Sequence, residues 1–178
     1  MDVVLRLSAD AEEQEVLRAH RATSPEVPTF LHGYEEGMPL RRYLELLAHQ
    51  QRGEHLPPDH VPSTFLFALV GARIVGRVAI RHRLNPALER IGGHIGYVVV
   101  PEFRRSGYAT EILRQALVIA RQQLGLSRVL VTCDEDNAGS IRVIERNGGV
   151  MENVVTEPGL QAPKRRYWID TSVACRPG

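Results

Sequence analysis

One stretch limits what this chain can fold into more than any other: Val98-Val99-Val100-Pro101-Glu102-Phe103-Arg104-Arg105-Ser106-Gly107-Tyr108-Ala109-Thr110. An apolar, β-branched run stops at a proline. A basic, glycine-containing turn follows, and Glu111 to Leu124 then carries apolar residues at helical spacing. The order reads as a strand that feeds through a turn into an amphipathic helix. Such a junction aims several backbone N–H groups at one spot, and the helix dipole adds partial positive charge there. Arg104 and Arg105 add full charges. The spot suits a phosphate or pyrophosphate.

The flanking pattern supplies the rest of a mixed α/β or α+β sheet. Val3 to Leu7 reads as a first strand, and Ser8 or Asp10 as the cap of a helix running to about Arg21. Thr23 to Pro39 is an irregular loop holding Tyr34, Glu35 and Glu36, Leu40 to Gln51 is helical, and Gly53 to Pro62 is a second loop. Thr64 to Val70 and Ile74 to Arg83 flank the short turn Gly71-Ala72-Arg73 as a hairpin. His94 to Val100 is the strand that enters the phosphate turn. Leu113, Leu117, Ala120 and Leu124 form the buried stripe of the next helix, which Gly125 ends. Arg128 to Cys133 is a buried strand, Ala138 to Arg146 a short helix, and Val150 to Val155 and Arg166 to Ile169 are the last strands.

The 178 residues suit a single domain, 1–178, with a full core. A formal net charge of +1 makes no electrostatic case for nucleic acid or an anionic membrane. Cys133 and Cys175 lie too far apart for a CxxC pair and indicate neither a disulfide framework nor a zinc site. His55 and His60 lack further ligands, so no metal is expected. Asp2, Arg6 and Asp10 are incompatible with a signal-peptide core, and no apolar run approaches the ~20 residues that span a bilayer. The expected location is the cytoplasm.

Arg104-Arg105-Ser106-Gly107-Tyr108-Ala109, set between an apolar strand and a helix, is similar to the cofactor motif of the GNAT superfamily of acyl-CoA-dependent N-acetyltransferases. That motif is Arg or Gln, two residues, Gly, one residue, then Gly or Ala. Asn137, Ser140 and Gly148 resemble the family's second signature, and the hairpin from Phe65 to Val78 resembles its second and third strands. The resemblance runs from about Thr64 to Gly149. It implies an acyl-CoA N-acyltransferase fold: a central, mostly antiparallel sheet, splayed at the cofactor groove, with helices on both faces. Residues 63–149 would form the cofactor-binding core, 1–62 a variable substrate-side region, and 150–178 the C-terminal strands. A homodimer is expected only by analogy.

The implied cofactor is acetyl-CoA. Its pyrophosphate would sit on the N–H groups of Arg105, Ser106, Gly107, Tyr108, Ala109 and Thr110, beside Arg104. Gly107 would leave room for close backbone approach. Val98, Val99 and Val100 would pair with the pantetheine arm as an added strand, and a backbone N–H near Val99 would hold the thioester carbonyl. Asn137 would bond the arm from the far side, near Ser140. An amine would attack directly in a ternary complex after losing a proton.

Many relatives place a Tyr seven residues after the motif Asn to protonate the leaving thiolate. This chain has Ile144 there. Positions that carry a base in other relatives align near Gly93 and Ile95, which do not titrate. His94, Tyr97 and Asp134 are the candidate catalytic groups. Tyr34, Glu35 and Glu36 are candidate acceptor contacts, where two carboxylates would favour a cationic amine. A small-molecule amine or amino-acid derivative is the expected acceptor. A protein N-terminus or lysine, a non-catalytic acyl-CoA-binding module, and a nucleotide-phosphate binder are the alternatives. The last lacks a Walker Lys-Ser/Thr and a complete Gly-x-Gly-x-x-Gly.

Overall fold

In the computed structural model, which describes residues 2–7, 12–25 and 29–172, the chain builds two antiparallel ladders that meet at one point. The first runs β1 (Val4–Arg6), β2 (Ser63–Val70), β3 (Arg73–Arg81), β4 (Ile95–Val99) in spatial order 1-2-3-4. The second comprises β5 (Arg128–Asp134), β6 (Val150–Val155) and β7 (Lys164–Asp170), with β7 in the middle. Four helices accompany them among the described residues: α1 (Glu13–Thr23), α2 (Leu40–Arg52), α3 (Tyr108–Gln122) and α4 (Ala138–Arg146). This is the mostly antiparallel, splayed sheet that the resemblance implies. The expected cap at Ser8 or Asp10 lies outside the described residues.

A bulge in the β2–β3 hairpin divides the interior. The register jumps between Ala68 and Leu69, so Val75 has no partner across the ladder. Beyond it, Val78 and Ile80 join Ile95 and Val99 in a core closed by Ile112, Leu113, Ala116 and Leu117 of α3. The opposite face packs Phe65, Phe67 and Val98 against Val16 and Ala19 of α1 and Tyr43 and Leu47 of α2. Each helix supplies the 3.6-residue apolar stripe that such packing needs. Helices therefore cover both faces. Glu13 accepts the Leu40 amide at 2.8 Å and caps α2 from α1, while Glu15 accepts the Ile74 amide at 2.9 Å.

The ladders touch where the chain enters β4. The His94 amide donates to the Leu130 carbonyl at 2.7 Å, and the Leu130 amide donates back to the His94 imidazole Nδ1 at 2.9 Å. Gly93 makes the approach possible. Its φ is +65°, and a Cβ there would stand 2.7 Å from the Leu130 oxygen. Beyond this pin, β4 and β5 share no ladder and the sheet opens. A single π-turn, Leu88–Gly92, precedes the pin. It is anchored by Asn85, whose side-chain oxygen accepts the Leu88 amide at 2.8 Å.

Candidate active site

The strand-turn-helix junction forms as the sequence predicts, with two refinements. A short 3₁₀ turn, Pro101–Phe103, follows the strand, and α3 begins at Tyr108, three residues earlier than its apolar stripe suggests. Arg105 and Gly107 both lie in the left-handed region, with φ of +62° and +86°. That geometry turns successive amides toward one side, an anion-binding nest. Among the described residues, the amides of Arg105, Ser106, Gly107, Tyr108 and Ala109 donate to no protein acceptor. Thr110 departs from the expected set: its amide is taken by the Gly107 carbonyl at 3.1 Å, the first bond of the helix. Val100 departs as well. It is fully buried among the α1–α2 side chains, and its amide is bound by the Val75 carbonyl at 2.9 Å, so it cannot pair with a ligand.

A groove of about 540 Å³ opens over this nest, between Val98 and Val99 on one side and Asn137, Ser140 and Val143 on the other. Among the described residues, four arginines line it and no carboxylate does. Arg104 and Arg105 come from the turn, and Arg142 and Arg146 from α4. The sequence reading missed the second pair. Their spacing of four puts both on the face of α4 that follows Asn137, a signal that becomes readable only once the partner of that face is known. The Arg104 Nε also donates to the Val99 carbonyl at 3.0 Å and braces the strand end. Asn137 caps α4 by accepting the Ser140 amide at 2.9 Å, which leaves its side-chain N–H₂ as a donor. A buried Asn147 joins α4 to the start of α3, donating to the Val143 and Thr110 carbonyls at 2.9 and 3.2 Å.

A second groove, of about 700 Å³, lies on the other side of Tyr97. Tyr97, Asn137 and Ser140 line both grooves and so mark their junction. The Tyr97 hydroxyl is enclosed and makes no hydrogen bond. Burial pushes its pKa up to about 12, with the neighbouring Ser140 partly opposing. The tyrosine therefore holds its proton at neutral pH. Asp134 also lines the second groove, where it pairs with Lys164 at 2.5 Å.

The other catalytic and acceptor candidates lie elsewhere. His94 is only 6% exposed and lines neither groove. Its Nδ1 is committed to the Leu130 amide, its ring meets Trp168 edge-on at 6.3 Å, and burial lowers its pKa to about 4. It pins the splay and cannot reach an acceptor. Glu35 and Glu36 are exposed outside both grooves, and Tyr34 packs edge-on against His20 and Tyr43 at 5.7 and 5.6 Å. The long loop brings His32 to the second groove instead, with His60, Arg77 and Arg81. Desolvation lowers the His32 pKa, as do the charges of Arg77, His60 and Arg81. Ile144 is fully buried in the core beneath α4, so the family's tyrosine position is structural here. Cys133 reaches the second groove, but burial raises its thiol to about 11, which keeps it from acting as a nucleophile. No group of three His, Cys, Asp or Glu side chains suited to a metal is present among the described residues, and no described helix is long and apolar enough to cross a membrane.

A family model described as an acetyltransferase (GNAT) domain matches residues 3–150. The chain belongs to the GNAT acetyltransferase family. Over 76 residues it is 33% identical to an uncharacterized N-acetyltransferase of Bacillus subtilis (strain 168), YnaD, a match that spans 43% of each chain. A chimera of the Vibrio cholerae spermidine N-acetyltransferase SpeG and hSSAT superposes with a TM-score of 0.67 at 17% identity, covering 99% of this chain and 100% of the other. yncA from Salmonella typhimurium, solved with its cofactor acetyl-CoA, superposes with a TM-score of 0.63 at 13% identity, covering 100% of this chain and 99% of that one. These likenesses establish the GNAT fold. The cofactor of GNAT acetyltransferases is acetyl-CoA, and the residues present fit it. Among the described residues, five amides that donate to no protein acceptor converge with four arginines on one groove, as a pyrophosphate ligand requires.

Proposed function

We propose that this GNAT protein transfers an acetyl group from acetyl-CoA to the nitrogen of a small amine by direct attack in a ternary complex. The observation that carries the reading is the junction of two grooves at Tyr97, Asn137 and Ser140: one is built for a polyphosphate ligand, the other is a separate chamber of about 700 Å³. That volume suits a small-molecule substrate.

Acetyl-CoA supplies an activated thioester. The chain supplies the rest. The amides of residues 105–109 hold the pyrophosphate, and the side-chain N–H₂ of Asn137 bonds the arm. A strand amide near Val99 supports the thioester carbonyl as negative charge grows on it. Tyr97, at the junction of the two grooves, would offer its hydroxyl proton as a hydrogen bond to the departing sulfur. Its pKa of about 12 exceeds the ~8.5 of a free thiol. Tyr97 would therefore stabilise negative charge on the sulfur without giving up its proton. The acceptor's proton leaves through His32, whose lowered pKa keeps it neutral and able to accept. Asp134 is engaged by Lys164 and orients that wall of the groove. A second copy of the chain would cover β6, the outer strand, whose Val150 is 71% exposed beside exposed Met151 and Val154.

Thermal unfolding with acetyl-CoA, CoA, ATP and NAD tests the cofactor. Saturation at about a hundred times Kd raises stability by roughly 2.7 kcal/mol, and only acetyl-CoA and CoA should do so. Thiol release from acetyl-CoA should then require an amine. A shift with CoA but no amine-dependent thiol release would identify a binding module instead of an enzyme.

A further inference from the structure

The floor and flanks of the second groove carry a chemical signature of their own. Ala79 of β3 and Gly96 of β4 are cross-strand partners, and both line the groove. A Cβ built on Gly96 would meet nothing within 4 Å, so the pair forms a shallow, empty floor. Arg77 and Arg81 stand on either side of Ala79 on the same strand face. Arg77 is only 4% exposed. Its Nη atoms donate to the Thr29 and Gly96 carbonyls at 2.9 and 3.3 Å, while its Nε–H is buried without a partner. Arg81 donates one Nη to the Gly92 and Gly93 carbonyls at 3.2 and 3.0 Å. Among the described residues, neither guanidinium has a carboxylate partner.

Backbone carbonyls fix both guanidinium groups in place but do not neutralise them. Burial first, and then the charge of Arg81, lower the Arg77 pKa to about 10, and a bound anion would offset that cost. We propose that Arg77 and Arg81 form an anion subsite over the Ala79–Gly96 floor, and that the acceptor is a small amine that also carries a carboxylate. This rests on the transferase reading above and names its substrate class. The planar guanidinium matches a carboxylate with paired N–H donors. The same two cations disfavour a polyamine at the floor; of the two described carboxylates in the groove wall, Asp134 is already paired with Lys164, which leaves Asp59 as the one available to the acceptor's ammonium group. The fold likeness to a spermidine N-acetyltransferase therefore does not extend to the acceptor chemistry.

The test uses the full chain loaded with CoA. Calorimetry compares an N-acetyl amino acid with its carboxamide, and thiol release compares amino acids, their carboxamides and spermidine. The carboxylate form should bind and turn over about 10- to 100-fold better than the carboxamide, from charge-assisted hydrogen bonds. Arg81→Gln should erase most of that preference, and so should Arg77→Gln if it folds. Gly96→Leu, which fills the floor, should abolish N-acetyl amino acid binding while leaving the CoA thermal shift intact. Equal binding of carboxylate and carboxamide, or preferred turnover of spermidine, overturns the subsite and leaves the transferase reading standing. Loss of the CoA shift in the unmodified protein would instead overturn the transferase reading.

Discussion

His94 offers a sharp test, because its two readings predict opposite results. As a general base it would matter to rate and little to stability. As the pin at the splay it must matter to stability. Its Nδ1 is the acceptor for a buried Leu130 amide, and its ring packs edge-on against Trp168. His94→Ala leaves that amide unsatisfied, at about 1–3 kcal/mol. The lost ring contact adds roughly 0.5–1.5 kcal/mol. The sum, about 2–4 kcal/mol, lowers Tm by roughly 5–15 °C in a chain of this size. His94→Asn should recover much of the loss, since its side-chain oxygen can take the place of Nδ1 as acceptor.

The pH dependence supplies a second reading of the same residue. The folded pKa is about 4, against roughly 6.5 for an unperturbed imidazole. Between those values the unfolded chain binds the extra proton and the native chain does not, so stability rises with pH across the window. The contribution is fully present above about pH 6.5 and is lost as pH falls through 4. It amounts to roughly 3 kcal/mol. Urea unfolding from pH 4 to 7 should show this slope in the parent protein and a flatter one in His94→Asn. A His94→Asn protein of unchanged stability whose kcat falls a hundredfold would refute the structural assignment.

Other residues make independent claims. Gly107→Val, at φ +86° in the nest, should cancel the thermal shift with CoA while the protein still folds, as seen by circular dichroism. Arg142→Gln with Arg146→Gln should raise Kd for acetyl-CoA about tenfold in calorimetry, with the penalty shrinking as salt rises. Tyr97→Phe should lower kcat roughly 10- to 100-fold at unchanged acetyl-CoA affinity, because the hydroxyl acts only on charge that grows during the reaction. Cys133→Ala should retain turnover. With a thiol near 11, only about 10⁻⁴ of the side chain is thiolate at pH 7, so alkylation of the parent should be slow.

The phosphate turn was legible because its determinants are local. A proline, a glycine at positive φ and a helical apolar stripe all lie within one stretch of chain, and each dictates backbone geometry without help from distant residues. The early loop was not legible. Glu35 and Glu36 looked like acceptor contacts because they are acidic residues in a region expected to vary with substrate. The loop directs His32 into the groove and leaves the two glutamates in solvent, a choice set by packing of Tyr34 on Tyr43 and His20. His94 failed for a related reason. Strand alternation places it away from the ligand, and the Gly93 turn that lets its ring reach Leu130 is a contact between residues far apart in sequence.

Arg77 and Arg81 carry the most information about the acceptor and gave the weakest sequence signal. Read along the chain, Arg77-Val78-Ala79-Ile80-Arg81 is an ordinary half-buried strand with charges on its polar face. Three tertiary facts change its meaning. The bulge at Val75 sets which face of β3 turns toward α3, so the arginines face the other way. Pairing with β4 puts Gly96 across from Ala79 and leaves the floor between the arginines bare. The pin at His94 ends the contact between β4 and β5, which opens the sheet beside that floor. A charged strand face thus becomes a substrate chamber only because a one-residue bulge, a missing side chain and a single imidazole act together. Changing Gly96 or His94 should alter acceptor choice before it alters cofactor binding, since neither lines the groove over the nest at residues 105–109, whereas the bulge also holds the strand end that leads into it.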